Sequence, residues 1–106
     1  MNYKIIFTNV AENDLRSILN EVLKVSGDKE TAFKFIKDMQ KKINELEVFP
    51  DCYPIIKDNF LKRKNIRFLN YKKYLIFYII RDKQIIIETI LNSKRDYVSI
   101  LKECVK

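Results

Sequence analysis

Apolar residues return along this chain with two different periods. From Asn9 to about Val25 they recur every three or four positions, at Leu15, Ile18, Leu19, Val22 and Leu23, while Asp14, Arg16, Asn20, Glu21 and Lys24 fall mainly elsewhere. That spacing predicts an amphipathic helix with one buried stripe. Ser26-Gly27 ends it, and Asp28 is placed to cap a second helix whose stripe is Ala32, Phe35 or Ile36, Met39, Ile43 and Leu46, and which stops before Pro50. The two stripes imply an antiparallel helical hairpin. Ahead of it, Tyr3 to Phe7 predicts a short strand ended by Thr8-Asn9, with Asn9 as the expected N-cap and Glu12 reaching back as in a capping box.

Past Pro50 the period changes. Tyr74 to Ile80 and Ile85 to Leu91 are apolar runs rich in Ile and Tyr, too short for ordinary helices and separated by the polar tetrad Arg81-Asp82-Lys83-Gln84. They predict a buried β-hairpin. Ile66 to Tyr71 predicts a further strand, Phe49-Pro50-Asp51-Cys52-Tyr53-Pro54 a turn-rich connector, and a short last helix runs from about Lys94 or Asp96 to Val105. Each long helix buries only one face, and the simplest shared partner is a sheet. The expected fold is therefore α+β, a small antiparallel sheet packed against an N-terminal helical hairpin in the order β-α-α-β-β-β-α. With 106 residues and no repeat or low-complexity tract, one domain over residues 1–106 is expected.

Composition narrows the chemistry. A hydrophobic fraction of 47% with 33% charged residues argues for a folded soluble protein and against disorder. The longest apolar run is seven residues, against the roughly 20 needed to span a bilayer. No secretory signal is read at the N-terminus, so cytoplasmic residence and no membrane partner are expected. The chain has no His and only two cysteines, Cys52 and Cys104, with no CxxC pair. These numbers argue against a zinc site and remove Ser-His-Asp and Cys-His catalysis. No metal or cofactor is expected, and both thiols should stay free in a reducing compartment.

The formal charge of +7 is unevenly placed. Lys57, Lys62, Arg63, Lys64, Arg67, Lys72 and Lys73 crowd one segment against Asp58 alone, interleaved with Phe60, Phe68 and Tyr71. Cations neutralise phosphates and aromatic faces stack on unpaired bases, so this is the composition of a polyanion-binding surface; it is equally that of a solvated strand edge protected by lysines. Lys94-Arg95-Asp96-Tyr97 adds a second basic, aromatic group directly after the hairpin.

In this order and spacing, Phe7-Thr8, Ala11-Glu12-Asn13-Asp14-Leu15, Phe49-Pro50, Tyr53-Pro54, Arg67, Tyr74-Leu75-Ile76-Phe77-Tyr78 and Lys94-Arg95-Asp96 resemble the RelE/ParE superfamily, the toxin halves of type II toxin-antitoxin pairs. The resemblance covers nearly the whole chain. It implies a growth-inhibiting toxin silenced by a cognate acidic antitoxin. The RelE-like branch cleaves messenger RNA on the ribosome, and the ParE-like branch poisons DNA gyrase. RelE-like nucleases carry an Arg where this chain has Leu75, an Arg matching Arg95 and a Tyr near Leu101, and histidine-bearing relatives use a His near the C-terminus. Only Arg95 is kept, which favours the ParE-like branch. The nuclease branch and a non-toxic nucleic-acid-binding module are the alternatives.

RNA cleavage by 2′-hydroxyl attack needs a proton acceptor, a cation at the phosphorane and a donor to the leaving oxygen. Arg95, Arg67 and Tyr97 are the candidate catalytic residues, and Lys62, Arg63, Lys64, Lys72, Lys73 and Lys94 the candidate nucleic-acid or partner-binding ones. Arg95 follows a strand end and precedes a helix, where it either holds an anion or pairs with Asp96 or a helix carboxylate. Tyr74 and Tyr78 are expected as packing residues and Arg81 as a turn charge. Glu88 is read as a rim residue that alternation places with Ile86 and Ile90, with a general base as the alternative.

Overall fold

The computed structural model describes residues 2–104. Strand β1 (Lys4–Phe7) leads into helix α1 (Asn9–Ser26) and helix α2 (Lys29–Asn44), which tightens into a 3-10 turn over Glu45–Glu47. A short helix α3 (Asn59–Lys62) precedes strands β2 (Arg67–Tyr71), β3 (Tyr74–Arg81) and β4 (Gln84–Asn92), and helix α4 (Tyr97–Cys104) follows. Apart from α3, this is the order that the hydrophobic periods predict. α3 is too short to show a period; Asp58 caps it by accepting from the Phe60 and Leu61 N–H groups. Val105, the expected end of the last helix, lies outside the described residues.

The first cap falls one residue earlier than Asn9. Thr8 Oγ1 accepts from the Ala11 N–H at 3.0 Å, so Asn9 is the first helical residue and Glu12 sits one position late for a capping box. The Thr8 hydroxyl has a second task that favours it over Asn9: it donates to the Glu88 carbonyl in β4 (2.8 Å). At the far end of α1, Gly27 adopts φ 68 and donates to the Leu23 carbonyl, a left-handed stop that L side chains disfavour. Asp28 caps α2 as expected.

The sheet runs β1-β4-β3-β2. The β2-β3-β4 meander is antiparallel, and β1 joins its edge parallel to β4, from Lys4 opposite Gln84 to Phe7 opposite Ile87. Both hairpins close over two residues, since Tyr71 pairs with Tyr74 and Arg81 with Gln84. The ends of the Arg81 to Gln84 tetrad therefore belong to the strands. Lys72 (φ 53) and Asp82 (φ 55) take the left-handed positions of these turns.

Alternation sorts β3 cleanly between two cores. Tyr74, Ile76 and Tyr78 face α1 and α2 together with Met39, Ile43 and Leu46. Leu75 and Phe77 face α3 and α4 together with Ile56, Leu61, Ile66 and Leu101. In β4 the alternation breaks, because the register shifts opposite Phe77 and Tyr78 and Glu88 becomes a bulge. Ile90 consequently joins Ile87 in the helix-facing core, whereas Ile86 pairs with Ile79 on the register of the other face. The expected grouping of Glu88 with Ile86 and Ile90 is thus corrected.

Candidate functional site

Arg95 is held by backbone, not by its side chain. After β4 the Asn92 side chain accepts from the Lys94 N–H (2.9 Å), the Arg95 N–H donates to the Asn92 carbonyl (3.0 Å), and the Arg95 carbonyl accepts from Tyr97 (2.8 Å). Asp96 is occupied as the cap of α4, accepting from the Ser99 N–H and hydroxyl. The guanidinium is exposed and makes no ion pair with Asp96 or with any other described residue. An exposed cation on a fixed backbone turn beside a helix N-terminus is an arrangement that binds an external anion.

Arg67 has a different setting. It stands opposite Tyr78 in the ladder, and directly opposed residues share a sheet face. Its guanidinium donates to the Asp51 and Tyr53 carbonyls, and the Tyr78 hydroxyl donates to the Pro50 carbonyl at 2.6 Å. Together they clamp the turn-rich connector, whose Ile55 then bridges to Arg67. Burial drives the Tyr78 phenol well above its ordinary range, and the nearby Arg67 charge only partly opposes this. Tyr78 is therefore a neutral packing and hydrogen-bonding group.

Tyr97 lies on the other side of the sheet, where its ring tilts against Phe77 at 5.5 Å. It lines a groove of about 420 Å³ with Pro54, Ile55, Ile56, Lys57 and Phe68. The three candidate catalytic residues are accordingly not gathered: Arg67 points to the hairpin face, Tyr97 packs in the opposite core, and Arg95 stands at the end of β4. Leu75 is buried in the α4-facing core.

The basic residues divide likewise. Lys62, Arg63 and Lys64 belong to α3 and the turn after it, with the Lys64 ammonium over the Phe60 ring. Lys72 and Lys73 form the β2-β3 turn, and the Lys73 carbonyl accepts from the Ser93 N–H, which sets this turn beside the segment leading into Lys94 and Arg95. The sequence places Lys72 and Lys73 with the first group; the sheet places them next to Ser93, two residues before Arg95. Lys73 also bridges Glu21 at 3.3 Å.

Asp14 has a role that the sequence does not mark. β1 stops at Phe7, so the outer edge of β4 beyond Ile87 lacks a strand partner there. Asp14 Oδ2 fills the gap, accepting from the Thr89 hydroxyl and the Ile90 N–H. Its membership of the Ala11 to Leu15 run was the available signal, but the run does not reveal an acceptor for a distant strand.

Two contrasts follow for stability. Tyr78→Phe removes the donor to a buried carbonyl and should cost about 1–3 kcal/mol. Tyr74, also buried, has a hydroxyl without a hydrogen bond. Its pKa is pushed up to about 12 by burial and then by Glu21, which lies close enough to act electrostatically but outside hydrogen-bonding geometry. Tyr74→Phe should therefore be neutral or slightly stabilising in urea unfolding; an equal loss for both variants would contradict the clamp.

At the bulge, burial raises the Glu88 carboxyl, with Arg81 opposing. A raised folded pKa means that ionised Glu88 detracts from stability as pH rises through it, and that the difference vanishes below the unfolded value of about 4.3. Glu88→Gln should raise Tm at pH 7, with the gain gone near pH 4. A lower Tm at pH 7 would show the carboxylate to be a favourable partner.

A family model described as the ParE toxin of type II toxin-antitoxin systems, parDE, matches residues 5–97. The fold is similar to a chain of the chromosomal ParDE toxin-antitoxin system from P. aeruginosa, with TM-score 0.72 and 18% identity over 85% of this chain and 95% of that one. It is also similar to a chain of the RelBE2 toxin-antitoxin complex from Mycobacterium tuberculosis, with TM-score 0.59 and 15% identity over 87% of this chain and 99% of that one. At such identities the likeness is one of fold. No curated protein gives a significant match.

Proposed function

The chain belongs to the ParE toxin family of type II toxin-antitoxin systems, and from this membership we propose that it arrests growth in the cytoplasm by acting on DNA gyrase until an acidic antitoxin covers it. The family match over residues 5–97 carries the reading. The distribution of side chains supports it. Inhibition by binding needs an accessible, well-positioned contact residue, and Arg95 is one. RNA cleavage needs cations and proton-transfer groups around one phosphate. Here Arg67 is committed to backbone carbonyls and Tyr97 lies across the sheet from it.

A ribosome-dependent mRNA endonuclease is the second reading. The groove of Lys57, Phe68 and Tyr97 favours it, since two aromatic rings beside a cation suit an unpaired base. Inducible expression separates either toxin from a non-toxic nucleic-acid-binding module. Induction of this chain alone should stop growth, and co-expression of the protein encoded by the adjacent reading frame should restore it. Sustained normal growth on induction of the lone chain would reject the toxin reading.

A further inference from the structure

The exposed apolar surface beside the Arg95 turn has no assigned use. Val22, Val25 and Ser26 from the last turns of α1, Phe35 from α2, and Lys72 and Lys73 from the β2-β3 turn line an open groove of about 330 Å³, with Glu21 at its rim. Its floor is apolar, yet Val25 is 81% exposed. The Lys72 ammonium lies 5.5 Å over the Phe35 ring and 5.9 Å from that of Tyr71, which holds a cation at the mouth. Lys72 reaches that position from left-handed backbone. The bond from the Ser93 N–H to the Lys73 carbonyl sets this turn beside the segment that leads into Lys94 and Arg95. The acids nearby are already paired, Glu21 with Lys73 and Asp38 with Lys34.

An apolar trough bordered by cations complements an amphipathic peptide whose apolar side chain is flanked by carboxylates. We propose that the groove of Val22, Val25 and Phe35 seats an apolar side chain of the acidic antitoxin, whose neighbouring carboxylates fall on Lys72 and on the adjoining Lys94-Arg95 turn. This rests on the toxin-antitoxin reading above and adds a place and a consequence to it: the antitoxin neutralises the chain by covering the Arg95 turn itself. The trough lies at the lower end of the volumes that hold small ligands, and its open mouth suits a side chain carried on a longer segment.

The test uses the purified full chain and the product of the reading frame adjacent to its gene, with Kd measured by calorimetry at 150 mM salt. Val25→Ser removes apolar contact without adding charge and should weaken binding about ten-fold, the worth of one buried Val. Lys72→Glu should weaken it at least about ten-fold, with an effect that shrinks as salt rises. The Lys37→Glu, Lys41→Glu double variant on the exposed side of α2 should stay within about three-fold. Thermal unfolding of each variant confirms that the fold is kept. Tight wild-type binding that Val25→Ser and Lys72→Glu leave unchanged would overturn the groove while preserving the toxin-antitoxin pair. Absence of any wild-type binding would overturn the pairing and the groove's occupant together. Concentration-dependent dimerisation abolished by Val25→Ser would assign the groove to a second copy of the chain and also overturn the proposal.

Discussion

Arg95→Ala is expected to release cells from growth arrest while leaving the purified protein as stable as the parent. Stability should hold because the guanidinium touches no described partner and the turn is fixed by main-chain bonds and the Asn92 side chain; an exposed substitution of this kind costs within about 0.5 kcal/mol. Toxicity should fall because a charge-assisted contact to an anionic or acidic target is worth about 1.5–3 kcal/mol, or roughly 10- to 100-fold in affinity. Arg95→Lys keeps the charge but loses the planar fork, and should recover only part of the effect. Growth curves over a range of inducer, with protein levels matched, measure this directly. A folded Arg95→Ala protein as toxic as the parent would remove Arg95 from the site.

Asp14→Ala should act in the opposite sense, with a large loss of stability. The carboxylate serves the Thr89 hydroxyl and the Ile90 N–H at the point where β4 outlasts β1, and Thr89 is only 1% exposed. Withdrawing a charged acceptor from two donors, one of them buried, costs about 3 kcal/mol. For a chain of this size that corresponds to a fall in Tm of roughly 15 °C. Adding Thr89→Val removes the stranded hydroxyl and should return about 1 kcal/mol of the loss. A single Asp14→Ala variant that unfolds at the parental Tm would show that solvent serves this edge equally well.

These two residues also mark how far the sequence can be read. Arg95 is legible because its situation is local: a polar turn after an apolar strand and before a helix. The helical stripes and the Tyr74 to Leu91 hairpin are legible for the same reason, since their periods are written into consecutive residues. Asp14 is hidden because its partner lies 75 positions away in sequence. The parallel pairing of β1, the Glu88 bulge and the turn of Ile90 toward the helices are hidden with it; all three depend on which strand lies beside β4.

Arg67 illustrates a further loss. Its charge and its place on a strand invite a catalytic role, but the acceptors that claim it are main-chain carbonyls of the Pro50 to Pro54 connector, which carry no side-chain signature. The same connector ties the Phe49-Pro50 and Tyr53-Pro54 pieces to Arg67 and Tyr78. They form one clamp that lays Ile55 along β2 and shapes the groove next to Tyr97. The basic segment from Lys57 to Lys73 reads as continuous, whereas the fold separates its α3 end from its β2-β3 turn and sets that turn beside the segment leading into Arg95.

Supercoiling of relaxed plasmid by purified DNA gyrase, with the chain added at stoichiometric and ten-fold excess, decides the mode of action. Gyrase should be inhibited by the parent protein, spared by Arg95→Ala, and protected when the product of the adjacent reading frame is added first. Unimpaired supercoiling at every ratio, together with codon-phased cuts in messenger RNA on translating ribosomes, would contradict the gyrase reading and establish the nuclease in its place.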